Sequence, residues 1–348
     1  MGAQTAQLND MGRSLYKILL GISAFVKKTS SKFFRDSLCF FHENMQNEAI
    51  FMQKRQYCVI GHPIGHTMSP FINSRLFALR GVQADYTVMD IPPQELSQKI
   101  ATLRTLQGFN ITIPHKQAIL PYLDEMDSNA RAFGSVNTVC VGEDGRLTGH
   151  TTDGSGCLAA LRGRGIQPGG SMLLLGAGGA ARAVAFALCE QVESPRLTIA
   201  CRKKSLLKVE ALCRDLQNHL HTLGKTGELS SAVLEELDGR ESFSLLLNCT
   251  SVGMYPHAGV SPVSETVIRQ CGAVFDAVYN PDTTELLRLA EKNHIPTVHG
   301  MDMLVWQAAV AHGHWFGHTF TQSEMDAVIR DAVGEMKRRF PEKEGQNE

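Results

Sequence analysis

The sequence predicts an α/β protein of two lobes, and three observations carry that expectation. Its 348 residues suffice for two domains of ordinary size, each with its own core. From Tyr57 onward, short apolar runs of strand type alternate with amphipathic runs of helix type, the rhythm of βα units around parallel sheets. Midway, a Leu-rich run passes through a glycine-rich turn straight into an Ala/Val-rich helical run, the setting of a dinucleotide-binding turn. The expected architecture is an N-terminal α/β substrate-binding lobe and a Rossmann-type dinucleotide-binding lobe, with a cleft between them.

Composition narrows the function classes. With 34 Lys+Arg against 35 Asp+Glu and a pI near 6.9, no global field draws nucleic acid or an anionic membrane, so any anion must be bound locally. The expected partner is a small-molecule substrate, with the protein a monomer or homodimer. Nine cysteines are scattered without a C-x-x-C pair, which reads as reduced thiols of a cytoplasmic protein rather than a disulfide frame or zinc site. The first fifty residues differ from the rest. LYKILLGISAFV (15–26), broken by Lys17, falls short of the roughly 20 apolar residues of a membrane span. No clean cleavage site marks a secretory signal, and a transit peptide stands as an alternative. The favoured reading is an extension outside the fold over 1–53 that stems from an upstream start, with Met52 as the expected true start and the globular pattern beginning at Tyr57.

The first lobe proceeds in βα steps. YCVIG (57–61) is a strand, and after the loop HPIGHTMSP a helix over 70–80 has Ser69 as its cap, Pro70 in its first turn and Gly81 as its stop. YTVMDI (86–91) is the second strand and PQELSQKIATLRTL the second helix. In GFNITIPHK (108–116), Phe109, Ile111 and Ile113 alternate with Asn110 and Thr112, sending the apolar set into a core and the amide and hydroxyl toward an open face. Pro114 cannot extend the ladder, so Lys116 falls at the strand's mouth on the first turn of a helix. An amide, a hydroxyl and a cation gathered there suit a small, hydroxylated, anionic substrate. DSNARAFG is helical, SVNTVCV a strand, and Asp144-Gly145 turns it into RLTGHTTD as a hairpin.

The second lobe opens with the helix GCLAALRGRG and the strand SMLLLG (171–176). Gly176, Gly178 and Ala181 fit G-x-G-x-x-[GA]. The first allows the tight turn, the second lets backbone N–H groups approach a pyrophosphate, and the third permits close helix-to-strand packing. The next strand, RLTIAC (196–201), is followed by Arg202, Lys203 and Lys204, where an NAD site carries a carboxylate for the ribose 2′-OH. A guanidinium pairs with a 2′-phosphate in a fork, so the expected cofactor is NADP(H). LLLNCT (245–250), AVFDAVY (273–279) and PTVHG (296–300) continue the strands, TTELLRLAEKNH is a helix between the last two, and DMLVWQAAVAHGHWFG is a final helix. Its His314 and His318 share a face but lack the Glu of H-E-x-x-H, so no metal is expected.

From Tyr57 to about Gly317 these motifs, in order, resemble those of the shikimate dehydrogenases. GHPIGHTMSP resembles the family's substrate-carboxylate loop, with Thr67 and Ser69 where the family has Ser-x-Ser. NITIPHK resembles Asn-Val-Thr-x-Pro-x-Lys, SVNT carries Asn137, and GHTTDG resembles Asn-Thr-Asp-Gly, with Thr151 in place of Asn and Asp153 kept. LLLGAGGAA is similar to the cofactor loop, with Gly176, Ala177, Gly178, Gly179 and Ala180. CRKKS takes the Asn-Arg-Thr position, and NCTSVGM, VYNP and GMDMLVWQ bring Tyr279, Gly300 and Gln307.

The resemblance implies an NADP-dependent oxidoreductase of the shikimate pathway, in aromatic amino acid biosynthesis, that reversibly reduces 3-dehydroshikimate to shikimate. It implies that Lys116 is the catalytic lysine and that Asp153 pairs with its ammonium and a substrate hydroxyl. Thr67, Ser69 and Tyr279 would hold the substrate carboxylate, and Asn110, Thr112, Asn137 and Gln307 its ring hydroxyls. Cofactor contacts would come from 176–180, Arg202, Lys203 and Gly300. The expected lobes are 54–152 with 300–340 for substrate and 153–299 for cofactor, with the Asp153 and Gly300 regions as hinges. Trp315-Phe316-Gly317, in place of the family's Trp-Thr-Gly, is expected to matter for packing alone. A quinate or aminoshikimate dehydrogenase would use the same lysine and aspartate. A dinucleotide-sensing protein without turnover would have no use for that pair.

Overall fold

The computed structural model describes residues 54–65, 67–237 and 241–341, so the expected extension over 1–53 lies outside the described residues, as does His66. Two six-stranded sheets organise the chain. The first half runs β1 (Arg55–Gly61), α1 (Ser69–Leu79), β2 (Ala84–Asp90), α2 (Leu96–Leu103), β3 (Gly108–Ile111), α3 (His115–Ala118), β4 (Glu125–Met126), α4 (Ser128–Phe133), β5 (Thr138–Val141) and β6 (Leu147–His150). Its sheet has the order β2-β1-β3-β5-β6-β4, parallel from β2 to β3, with β5 antiparallel to both its neighbours.

The second half runs α5 (Asp153–Gly163), β7 (Ser171–Leu175), α6 (Gly179–Gln191), β8 (Arg196–Cys201), α7 (Leu206–Thr222), β9 (Glu228–Val233), β10 (Leu245–Asn248), α8 (Glu265–Ile268), β11 (Val274–Asp276), α9 (Glu285–Lys292) and β12 (Thr297–Val298). Two long helices follow, α10 (Gly300–Phe316) and α11 (Gln322–Arg339). All six strands are parallel in the order β12-β11-β10-β7-β8-β9, which counted from β7 is 3-2-1-4-5-6, the Rossmann arrangement. The winding reverses between β7 and β10, and the crevice beyond Leu175 and Asn248 is where such sheets bind ligands. Met172 to Leu175 and Leu245 to Leu247 are fully buried because helices cover both faces, which explains their unbroken apolar runs.

Three local expectations need correction. Ser69 opens α1 but does not cap it: Thr67 Oγ1 accepts from the Ser69 backbone N–H (3.2 Å) and donates to Ser69 Oγ (3.1 Å), so the first turn is tied down from two residues upstream. The alternation in the third strand stops at Ile111. Ile113 is 74% exposed because the chain is already turning into Pro114. Asn110 faces no open surface, since α10 covers that side of the sheet: Trp315 packs on Tyr57 and donates Nε1–H to the Val139 carbonyl (3.0 Å). Gly317, at φ 70°, ends that helix in the left-handed conformation that favours glycine. Among the described residues, no helix is long and apolar enough to cross a membrane.

Candidate active site

Lys116 and Asp153 meet although 37 positions separate them in sequence. Lys116 stands on the first turn of α3, just past β3, and Asp153 is the first residue of α5, just past β6. Lys116 Nζ lies 2.5 Å from Asp153 Oδ2, with side chains 18% and 9% exposed, so water competes little with the ion pair. The other carboxylate oxygen accepts from Asn137 Nδ2 (2.7 Å). Asn137 cannot flip, because its Oδ1 accepts from the backbone N–H of Thr152 (2.8 Å), a group that only donates. Thr152 Oγ1 reaches Asn137 Oδ1 (3.2 Å) and Gln307 Oε1 (3.3 Å), which brings α10 into the same cluster. Gly156 permits this approach, since a Cβ there would come within 2.7 Å of Gln307 Cβ.

The remaining substrate candidates divide into two kinds. Thr67 and Ser69 form one hydroxyl pair, and Tyr279 packs against the cluster containing their neighbours Met68 and Ile72. Thr112 Oγ1 has no hydrogen bond among the described residues. Asn110 differs: both its N–H donors and one lone pair of its oxygen are engaged within the protein, with the Asn137 carbonyl, Thr138 and Tyr86. Thr138 and Thr152, inside SVNT and GHTTDG, carry parts of this cluster that the motifs did not assign, and Tyr86 carries another from outside every motif.

The dinucleotide turn lies alongside. Gly176 has φ 124°, and a Cβ there would stand 3.0 Å from the Cys249 carbonyl, past the end of β10. Gly178 caps α6 with no side-chain hydrogen bond and no atom within 4 Å of its missing Cβ, leaving the helix N–H groups facing open space. That cradle fits a pyrophosphate. Ala177 and Ala180 belong to the same turn, and a Cβ on Gly179 would lie 3.9 Å from Lys116 Cδ, so lysine and turn are neighbours. Beyond β8, Arg202, Lys203 and Lys204 are exposed and form no ion pair among the described residues, a cation set that fits a 2′-phosphate. Gly300 opens α10 where any side chain would collide with the Val278 carbonyl.

A second polar cluster lies apart from these. Asp127, His150 and His314 approach one another, and His150 Nδ1 is 2.7 Å from Asp127 Oδ2. The two imidazoles stack at 4.0 Å and 21°, so their in-plane lone pairs run side by side instead of converging as a zinc shell requires. His312 is a buried packing residue bonded to Asn73 Oδ1 (3.1 Å), its pKa pushed down to about 3 by burial.

A Rossmann-ordered sheet with a glycine turn at its switch point, and an ammonium–carboxylate pair beside that turn, is the frame of a dinucleotide-dependent oxidoreductase. Comparison with known proteins makes the class specific. The model for the shikimate dehydrogenase substrate binding domain matches residues 59–139. The shikimate dehydrogenase (NADP(+)) of Shouchella clausii is 38% identical over 282 residues, 79% of this chain and 98% of that one, and that of Symbiobacterium thermophilum is 39% identical over 268 residues, 74% and 88%. The crystal structure of shikimate 5-dehydrogenase from Thermus thermophilus in complex with NADP(H) and shikimate superposes with a TM-score of 0.70 at 35% identity, covering 80% of this chain and 99% of that one. The chain belongs to the shikimate dehydrogenase family.

Proposed function

We propose that this protein is an NADP-dependent shikimate dehydrogenase, interconverting 3-dehydroshikimate and shikimate, with Lys116 and Asp153 as its catalytic pair. The observation that carries the reading is the Lys116–Asp153 ion pair lying beside the α6 glycine turn. NADP(H), when bound, supplies or accepts the hydride, and residues 176–180, Arg202, Lys203 and Gly300 would hold it. The protein supplies orientation and the proton. During reduction the Lys116 ammonium gives a proton to the ketone oxygen; in the reverse direction the neutral amine takes it from the hydroxyl. Asp153, held by Asn137 through one oxygen, fixes the lysine with the other, so the donor waits in one geometry.

Substrate recognition follows from the same arrangement. The Thr67 and Ser69 hydroxyls with Tyr279 suit the carboxylate, while Thr112, Asn137 and Gln307 suit the ring hydroxyls. Asn110 is buried behind Asn137, whose backbone carbonyl its amide holds, and supports the site from there. We assign 54–152 with 300–340 to the substrate lobe and 153–299 to the cofactor lobe. The unpaired cysteines support a cytoplasmic setting.

The deciding experiment follows reduced-nicotinamide absorbance with purified protein, shikimate or quinate, and NADP+ or NAD+. Fastest turnover is expected with shikimate and NADP+. No turnover with any pair would end the reading, and faster turnover with quinate would move it to that substrate.

A further inference from the structure

The Lys116–Asp153 pair does not end at Asn137. Tyr86, on β2, reaches across β1 and donates its hydroxyl to Asn110 Oδ1 (2.6 Å). Asn110 Nδ2 donates to Thr138 Oγ1 (3.0 Å) and to the Asn137 carbonyl (3.2 Å). Thr138 Oγ1 donates to Asn137 Oδ1 (3.4 Å), and Asn137 Nδ2 donates to Asp153 Oδ1 (2.7 Å). The direction of these bonds is fixed by groups that have no choice. The Asn137 carbonyl only accepts, so Nδ2 of Asn110 must face it and Oδ1 must face Tyr86. The Thr152 N–H only donates, so Oδ1 of Asn137 must face it and Nδ2 must face Asp153. Tyr86 is left one role, that of donor.

We propose that Tyr86 is a positioning residue for the reaction, acting on the Lys116–Asp153 pair through Asn110, Thr138 and Asn137 without touching substrate. The inference rests on the functional reading above. Burial, and after it the nearby Cys58 thiol, hold the Tyr86 hydroxyl well above the usual phenol range, so it keeps the proton that this role needs. Bonds that all point one way polarise one another, and Asn110, Thr138, Asn137 and Asp153 are buried behind a half-buried Tyr86, so the links beyond the first are shielded from bulk water. Without the hydroxyl, Asn110 Oδ1 loses its partner, the two bonds from Asn110 Nδ2 lose the polarisation that Tyr86 supplied, and Asn137 is held less firmly.

Tyr86→Phe keeps the ring and removes the donor. Its kcat is expected to fall about tenfold, with KM for NADP+ unchanged, as for an interaction realised at the chemical step. Thr138→Val breaks the next link without touching Tyr86 and should act in the same sense, which keeps the inference testable if the first variant folds poorly. In an Asn110→Leu background, Tyr86→Phe should cost nothing more, because the intermediate link is already gone. Wild-type kcat in Tyr86→Phe, a rise in KM for shikimate alone, or losses that multiply in the double variant would each overturn it. A second readout stands apart from the choice of substrate. Side-chain amide exchange at Asn137, followed by NMR, should quicken in Tyr86→Phe; unchanged protection there refutes the relay even if wild-type protein turns over some other substrate. Absence of wild-type turnover, by contrast, counts against the functional reading.

Discussion

The two sheets build their halves of the site from different material. At the second sheet the proposed binding surface is backbone: a glycine turn at the β7–β10 switch point and the N–H groups at the start of α6, which no side chain caps. At the first sheet it is side chain: a half-buried Lys116 and the buried Asp153, Asn137 and Thr152 are tied to one another, from elements that only tertiary folding brings together. A backbone site depends on what a residue leaves out, while a side-chain site depends on which atoms a residue adds. Substitutions in the two halves should therefore fail in different ways.

The largest effect belongs to the side-chain half. Lys116→Ala removes the proposed proton donor, and kcat should drop about 10²-fold or more while NADPH binding, measured by fluorescence titration, changes little. Near wild-type turnover would remove Lys116 from the mechanism. The mirror experiment is Gly176→Ala. At φ 124°, with the Cys249 carbonyl 3.0 Å from the new Cβ, the alanine is strained in the folded state, by about 1–3 kcal/mol. Melting temperature and NADPH affinity should fall together while shikimate affinity holds. If shikimate affinity falls equally, the two halves are not separable. Arg202→Asp is milder, since Lys203 and Lys204 remain: KM for NADPH should rise several-fold and the NADPH-to-NADH preference shrink. An unchanged ratio would reassign the 2′-phosphate site.

The same contrast governs what was legible in the sequence. The backbone half announces itself, because a turn that requires φ above zero must be written with glycine, and Gly176 to Ala181 stand between an apolar strand and a small-residue helix. Lys116 and Asp153 were marked by motif context alone, and their contact is a property of the fold. Thr138 and Thr152 stand inside SVNT and GHTTDG with no role marked, and Tyr86 had no mark at all. A threonine beside an aspartate, or a tyrosine on an edge strand, has the same local pattern whether or not its hydroxyl points into a hydrogen-bond chain. Ile113 misled for a related reason: strand periodicity continues in the letters after the backbone has turned. The helix α11 was legible in principle, since Thr321 and Glu324 form a capping box at its start, but it lies beyond the chemistry-bearing motifs that drew the reading.

The smallest effect is on stability, and it sharpens the contrast from a side-chain pair of the first lobe that takes no part in the proposed chemistry. Burial opposes charge on His150, but the hydrogen bond that its Nδ1–H donates to the Asp127 carboxylate, with the Cys140 thiol nearby, outweighs it and holds the imidazole up at about 9. His150 side-chain exposure is 14%, so the interaction is only partly screened. A folded-state pKa above the ordinary value of 6.5 means that the folded protein binds this proton more tightly than the unfolded chain. The resulting stability is fully present below pH 6.5 and is lost as pH rises toward 9, amounting to roughly 1–3 kcal/mol. His314, stacked on His150, is shifted the other way, first by burial and then by the His150 charge, and so stays neutral across that window. Urea unfolding of the wild type between pH 6.5 and 9 should therefore show a declining midpoint that flattens in His150→Gln, with activity at neutral pH unaltered. Parallel pH dependence in wild type and variant would mean that the Asp127–His150 bond is not what holds the β6 end of this lobe.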